Sequence, residues 1–350
     1  MRRPSSASRL VFEDRLPDLR PRGEALVICD AKLPSLSAGL ARWLVRFPRV
    51  YPVRAGEKLK TLPTFHRLVE WAAATLPATD RSRLRVVAIG GGSVGDFAGF
   101  FASVWLRGVD LVLVPSTWLA AIDSAHGGKT ALNAGGAKNA IGTFHPASEV
   151  RLVRRLLDLQ EAERAREAWG ELAKIAILDG GAWARAMARD PAPDGELLWK
   201  YLEPAVRAKL RVVARDPEER GGPRRLLNLG HTTGHVLEAW SGVAHGVAVA
   251  HGVAFAVAWS ERRGLLTRRA AGDLREFLAT RLGPTGSGLP PGVRPIPRLA
   301  AARLLSRDKK AISASRVREV FLEGWGKPRI EAVRFADLLA EMVRQGWVLP

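Results

Sequence analysis

Apolar positions in the first part of the chain come in short unbroken runs, each followed by a stretch with helical spacing. Residues 25–30 (Ala-Leu-Val-Ile-Cys-Asp), 49–53, 84–89 (Leu-Arg-Val-Val-Ala-Ile) and 109–114 (Val-Asp-Leu-Val-Leu-Val) have the length and continuity of buried strands. Between them, 36–46, 64–76, 95–105 and a segment starting at 115–122 carry helical periodicity, and 55–60 reads as a turn. This alternation predicts an α/β domain with a Rossmann-like, mostly parallel sheet. Beyond residue 155 the pattern changes. Segments 156–189, 195–215, 224–240, 246–263, 268–282, 297–306 and 335–346 are all helical in period, only 317–322 is strand-like, and 283–297 is a loop by its Gly and Pro density. The expectation is an α/β N-terminal domain over 1–155 and a mainly α-helical C-terminal domain over 156–350, because one core seldom serves 350 residues.

Composition narrows the class of protein. No run approaches the roughly 20 apolar residues of a membrane span, and Met1-Arg-Arg-Pro-Ser-Ser-Ala-Ser lacks the apolar core of a signal peptide and reads as a frayed tail. The single cysteine, Cys29, falls in a buried-strand pattern; it excludes an internal disulfide and fits a reducing cytoplasm. The net charge of +19 raises the question of a nucleic-acid partner. The basic residues are scattered through helices, no Lys/Arg block of five occurs and no nucleic-acid motif is recognisable, so none is expected. Only 11 of the 54 basic residues are lysine, yet Lys129, Lys138, Lys174, Lys209, Lys309 and Lys310 all sit in or near motif-like segments. Ammonium and guanidinium groups are not interchangeable where a point charge or proton donor is required, so this clustering points to chemistry.

Four motifs carry that chemistry. Gly90-Gly91-Gly92-Ser93-Val94-Gly95-Asp96 joins a strand to a helix, where glycines let backbone amides approach a pyrophosphate at the helix N-terminus; its order differs from a standard dinucleotide fingerprint. Asp30, closing the 25–30 strand, could meet a ribose hydroxyl. Residues 123–139 form a glycine-rich stretch with Asp123, Lys129, Asn133, Lys138 and Asn139. It lacks Walker spacing, and its lysines and amides suit a phosphate or carboxylate. Glu171 and Lys174 lie one turn apart in an apolar helix; taken alone, such a pair is most often an exposed ion pair. His231 and His235 share a helix face at i,i+4, and His245 follows in a Gly-Val-Ala-His-Gly turn. Two or three histidines with a glutamate suit Zn²⁺ or a similar divalent ion, although the glutamate is not placed as in a His-Glu-x-x-His metalloprotease. His66, His126, His145 and His251 have no such context and read as structural or solvated.

In this order and spacing the motifs resemble those of the 3-dehydroquinate synthase family of sugar phosphate cyclases, over about residues 25–330. The resemblance implies that 90–96 binds NAD, with Asp30, Glu57, Lys60, Ser116, Thr117 and Lys138 as further cofactor contacts. It places the metal, zinc or alternatively cobalt, on Glu171, His231 and His245. Substrate-binding and catalytic positions resemble Asp123, Lys129, Lys138, Asn139, Lys174, Lys209, Arg224, Asn228 and His235, with Lys309 or Lys310 as a C-terminal substrate lysine. Arg107 looks like the arginine that reaches the partner subunit's substrate phosphate, which implies a homodimer. Three positions depart from the family pattern. Ala125-His126 stands where Ser-Val is common, Ala176 replaces a usual tyrosine, and Val247 follows His245-Gly246 where glutamate is frequent.

What the resemblance implies is a cytoplasmic lyase of aromatic amino acid biosynthesis. It would convert DAHP, a phosphorylated seven-carbon sugar acid, to 3-dehydroquinate and phosphate by transient oxidation, elimination, reduction and aldol closure. Two other readings are carried beside it. One is a sister cyclase of the 2-deoxy-scyllo-inosose or epi-valiolone synthase type; Asn228 and His235 favour the dehydroquinate branch over the valiolone type. The other is a metal-dependent polyol dehydrogenase.

Overall fold

The computed structural model describes residues 8–16, 24–76, 82–190, 194–282, 288–306, 311–313 and 315–350. Lys309 and Lys310 lie outside them, as do most of the tail 1–8 and part of the loop 283–297. The chain divides into two compact units, Met1–Glu161 and Ala162–Pro350.

The first unit is built on a six-stranded parallel sheet. Its strands are β1 (Arg9–Glu13), β2 (Glu24–Asp30), β3 (Val50–Val53), β4 (Leu84–Gly90), β5 (Asp110–Pro115) and, after a hairpin of β6 (Lys129–Ala134) and β7 (Ala137–Phe144), β8 (Glu149–Val153). The order across the sheet is β1-β8-β5-β4-β2-β3. Helices α1 (Leu33–Leu36), α2 (Ala38–Leu44), α3 (Leu62–Thr75), α4 (Gly92–Val104) and α5 (Arg154–Leu157) connect or flank them. The apolar runs are continuous because both faces are covered. Val27, Cys29, Val87, Ile89, Val112 and Val114 pack with Leu40 and Trp43 of α2 on one face, while α4 lies against β4 and β5. Cys29 is fully buried, and burial together with the charge of Asp30 pushes its thiol up to about 12, leaving it inert. From β2 the chain passes to β3 on one side, then crosses to β4 on the other. This reversal is the topological switch point at which open α/β sheets bind ligands. Asp30 and Gly90 end the two strands that flank it.

The second unit is helical: α6 (Ala162–Asp179), α7 (Ala182–Arg189), α8 (Gly195–Ala214), α9 (His231–Ser241), α10 (His245–Arg262), α11 (Arg268–Leu282), α12 (Arg298–Ser306) and α13 (Phe335–Arg344). A small antiparallel sheet, β9 (Ala311–Ser313), β10 (Arg316–Leu322) and β11 (Pro328–Arg334), packs with it. Its core joins Phe255, Trp259, Phe321 and Trp347 through edge-to-face rings. No described helix is long and apolar enough to cross a membrane.

The architecture matches the α/β-plus-helical expectation, with local corrections. The glycine-rich stretch after residue 128 is a β-hairpin whose two-residue turn, Gly135-Gly136, has φ of +58° and +75°, the backbone such turns demand. The segment from 115 ends in a π-helical turn, Ala120–Ser124. Segment 156–189 takes in the end of α5 and then two further helices, α6 and α7, divided at Gly180 (φ +62°), where a Cβ would meet the backbone of Gly326. Segment 224–240 is a 3₁₀ stretch, Pro223–Asn228, and then α9, separated by Gly230 at φ +74°. Strand 317–322 has partners on both sides, one of them the alternating Pro328–Arg334 run. The units divide after Glu161, where the sequence suggested 155/156, because the intervening residues stay with the sheet. The Gln160 side chain accepts the Trp118 N–H.

The four histidines without motif context are accounted for. His66 is exposed, His145 Nε2 lies 2.9 Å from Val109 O, and His126 Nε2 lies 2.7 Å from Ala121 O. His251 is buried, with Nδ1 3.0 Å from Gly288 O; burial holds its pKa below the ordinary 6.5, and the Gly288 hydrogen bond opposes this only in part. The unfolded chain therefore binds a proton that the folded one declines. The stabilisation is complete above pH 6.5 and is lost as pH falls through the lowered folded value. Between about pH 7 and about pH 5, the thermal midpoint should fall further in the parent than in His251→Gln; equal slopes would remove this assignment.

Candidate active site

In the first unit, the turn Gly90–Gly92 leads from β4 into α4 at the switch point. A side chain at Gly90 would strike Val94 at 2.6 Å, one at Gly91 would meet Thr117 at 3.3 Å, and one at Gly92 would meet Ser124 at 2.9 Å. The turn thus bares its backbone where the first amides of α4 have no intrahelical acceptor, a fit for a pyrophosphate. Asp30, beside it, accepts the Lys32 N–H. Ser93 Oγ accepts the Gly56 N–H at 2.9 Å, tying the turn to the loop carrying Glu57 and Lys60. Lys60 is buried, ion-pairs with Asp96 at 2.6 Å and donates to Asn139 Oδ1. Burial raises the Asp96 carboxyl above its usual range, partly offset by Lys60. Asn133 donates to Glu57 at 2.8 Å and accepts the Asn139 N–H at 2.9 Å. The fold thus joins Glu57, Lys60, Asp96 and Asn139 through Asn133, to which the motif reading attached no role; only its place beside the Gly-Gly turn could have signalled it.

The remaining residues named for this unit are placed as follows. Ser116 is buried, and Thr117 Oγ1 accepts the Ala120 N–H. Asp123 is half-buried in the π-helical turn, while Lys129 and Lys138 are exposed on the hairpin. Arg107 is exposed on a turn where it and Leu106 both have positive φ (+64° and +49°).

In the second unit, Glu171 on α6, His231 at the start of α9 and His245 at the start of α10 converge. Glu171 Oε1 lies 3.4 Å from His231 Nε2 and 3.5 Å from His245 Nε2. A tetrahedral ion with bonds of about 2.0–2.1 Å requires ligand separations of about 3.3–3.4 Å, so the donor set fits a zinc-like cation. Glu171 is fully buried, Lys174 Nζ is 2.5 Å from Oε2, and neither carboxylate oxygen has a well-formed hydrogen bond among the described residues. Burial disfavours a charged His245, but the adjacent carboxylates of Glu171 and Glu238 outweigh it and push the imidazole up to about 10. Carboxylates thus face both nitrogens of the His245 ring and favour positive charge there.

Close glycine contacts set this convergence, and each lies next to a ligand. A Cβ on Gly170 would fall 1.9 Å from Gly246 O, one on Gly246 1.6 Å from Glu167 O, and one on Gly252 1.9 Å from Gly230 O. Helix α10 is thereby clasped against α6 and against the start of α9. Three cations named from the motifs of this unit, Lys174, Lys209 and Arg224, are buried. Arg224 donates to Pro217 O within a loop that Asp216 holds by accepting the Arg220 and Gly222 N–H groups. Asn228 is half-buried, and His235 is exposed with its ring 5.4 Å from that of His231 and 6.0 Å from that of His245. Glu238, which the motif reading passed over, meets His245 Nδ1 at 3.0 Å.

Family models for the 3-dehydroquinate synthase N-terminal and C-terminal regions match residues 50–167 and 168–311. The chain belongs to the 3-dehydroquinate synthase family. A 3-dehydroquinate synthase from Aeropyrum pernix is 40% identical over 324 residues, covering 89% of this chain and 86% of that protein. The fold is shared with a 2-deoxy-scyllo-inosose synthase solved with carbaglucose-6-phosphate, NAD⁺ and Co²⁺ (TM-score 0.82, 24% identity, 96% of each chain). It is also shared with a 2-epi-5-epi-valiolone synthase from Streptomyces hygroscopicus solved with NAD⁺ and Zn²⁺ (TM-score 0.77, 23% identity, 97% of this chain and 96% of that one). Membership of the 3-dehydroquinate synthase family thus spans both units.

Proposed function

We propose that the chain converts DAHP to 3-dehydroquinate and phosphate, holding NAD on the first unit and a zinc or cobalt ion on the second. The observation that carries this reading is the convergence of Glu171, His231 and His245 at spacings that suit such an ion, in a chain of this family. When bound, NAD supplies reversible hydride transfer and the cation polarises a substrate oxygen.

The chain's own residues do the rest. Backbone amides of the Gly90–Gly92 turn and the start of α4 bind the pyrophosphate, and Asp30 and Glu57 hold ribose hydroxyls. The buried Lys60 fixes Asp96 and Asn139 in place. Lys174, Lys209 and Arg224, already desolvated by the fold, offset the substrate's carboxylate and phosphate. Asp123, Lys129, Lys138, Asn139 and Asn228 orient its polar groups. His235, beside the triad, holds or moves the proton of a substrate hydroxyl at a ring nitrogen. A homodimer is part of the proposal. Arg107 is presented on an exposed turn of positive φ beside Leu106 and Val104, themselves exposed, and residues keep such backbone where a contact over-determines it. A reducing, cytoplasmic setting accords with the single buried thiol.

The departures at Ala125-His126, Ala176 and Val247 make substrate choice the point to measure. Purified protein with NAD⁺ and Zn²⁺ should release phosphate from DAHP without net NADH. Preferential turnover of sedoheptulose 7-phosphate would place it with the sister cyclases, and accumulation of NADH on a polyol with the dehydrogenases.

A further inference from the structure

We propose that Glu238 is a positioning residue for His245, holding the imidazole in the tautomer and orientation that turns Nε2 toward Glu171 and His231. The inference rests on the reading of that triad as a metal centre. Glu238 Oε2 lies 3.0 Å from His245 Nδ1, while Nε2 across the ring lies 3.5 Å from Glu171 Oε1. An imidazole that donates its Nδ1–H keeps its lone pair on Nε2. The contact therefore selects which nitrogen faces the cation, and a carboxylate acceptor makes that nitrogen a stronger donor.

The placement follows from the local fold. His231, His235 and Glu238 stand at i, i+4 and i+7 on α9, on one face of the helix. The chain leaves α9 at Ser241 and re-enters a helix at His245, so this short connection returns the His245 ring to the face it has just left. Glu238 is outside the convergent set, and its contact is with the far side of the ring. His231 is oriented differently, with Nδ1 3.2 Å from the Leu229 carbonyl, a backbone acceptor that no substitution removes. His245 thus takes its Nδ1 contact from a side chain, which substitution can remove.

The test is cobalt binding to protein stripped with a chelator, read by competition with a coloured chelator and by the visible Co²⁺ spectrum. Glu238→Ala should bind about 10- to 100-fold more weakly than the parent and show altered bands. Glu238→Gln, whose amide oxygen can still accept the Nδ1–H, should recover most of the affinity, whereas Glu238→Met, of similar size but with no such acceptor, should not; equal recovery in both overturns the assignment. Parent-like affinity and spectrum in Glu238→Ala overturn the assignment while leaving the metal centre standing. A parent protein that binds no stoichiometric cobalt, or a His231→Ala variant that binds it equally well, overturns both.

Discussion

Replacing His231 with alanine should remove the metal and the activity together. Its Nε2 is one of three donors, with Glu171 and His245, and its loss leaves a carboxylate and a single imidazole, too few for a tight site. Polarisation by a bound cation is worth several kcal/mol, and at about 1.4 kcal/mol per decade its loss lowers the rate about a thousandfold or more. Metal content by elemental analysis and turnover of DAHP should fall in step. Lys129→Ala is the control. This exposed lysine lies on the hairpin of the other unit, so the variant should bind substrate more weakly while keeping its zinc. Full metal content in His231→Ala would remove the ligand assignment.

Replacing Gly246 with alanine should dismantle the same site without touching a ligand. On helix propensity alone the exchange would stabilise, by at most about 1 kcal/mol. Here the new Cβ would lie 1.6 Å from Glu167 O and 2.6 Å from its carbonyl carbon, both backbone atoms that cannot rotate away. Helices α6 and α10 must part, and Glu171 and His245, each adjacent in sequence to a glycine of this crossing, part with them. The clash should cost about 3 kcal/mol or more, about 6–12 °C in thermal midpoint, with weakened metal binding. Gly272 in α11 faces open space, with nothing from the rest of the fold within 4 Å of where a Cβ would stand, so Gly272→Ala should stabilise slightly. Opposite signs for two glycine-to-alanine changes in one unit isolate the crossing from helix propensity. A Gly246→Ala protein as stable as the parent would show that the helices are not held by this contact.

The motifs and the alternation of strands and helices were legible because they are local. A parallel strand covered on both faces is apolar along most of its length, and a glycine triplet directly after such a strand fits the start of a helix. The hairpin at 129–144 was less legible. Its Gly135-Gly136 turn is a strong signal, but β7 has no buried residue and alternates between half-buried and exposed positions only over its last four. The break between Asn228 and His231 was hidden because Gly230 is forced to positive φ by packing against Gly252, a partner 22 residues away that no helical period reveals.

By itself, the sequence determined the fold class, the family and the kinds of group available for chemistry, since these depend on residue type and short spacing. Tertiary structure decided what those groups are. Glu171 and Lys174 have the spacing of a surface ion pair, and only the packing of α6 against α10 turns them into a fully desolvated pair facing two imidazoles. Glu238 has the composition of an ordinary solvent-facing helix residue, and only the return of the chain at His245 gives it a ring to hold. Burial and convergence arise where helices cross, and a crossing is set by contacts between residues remote along the chain.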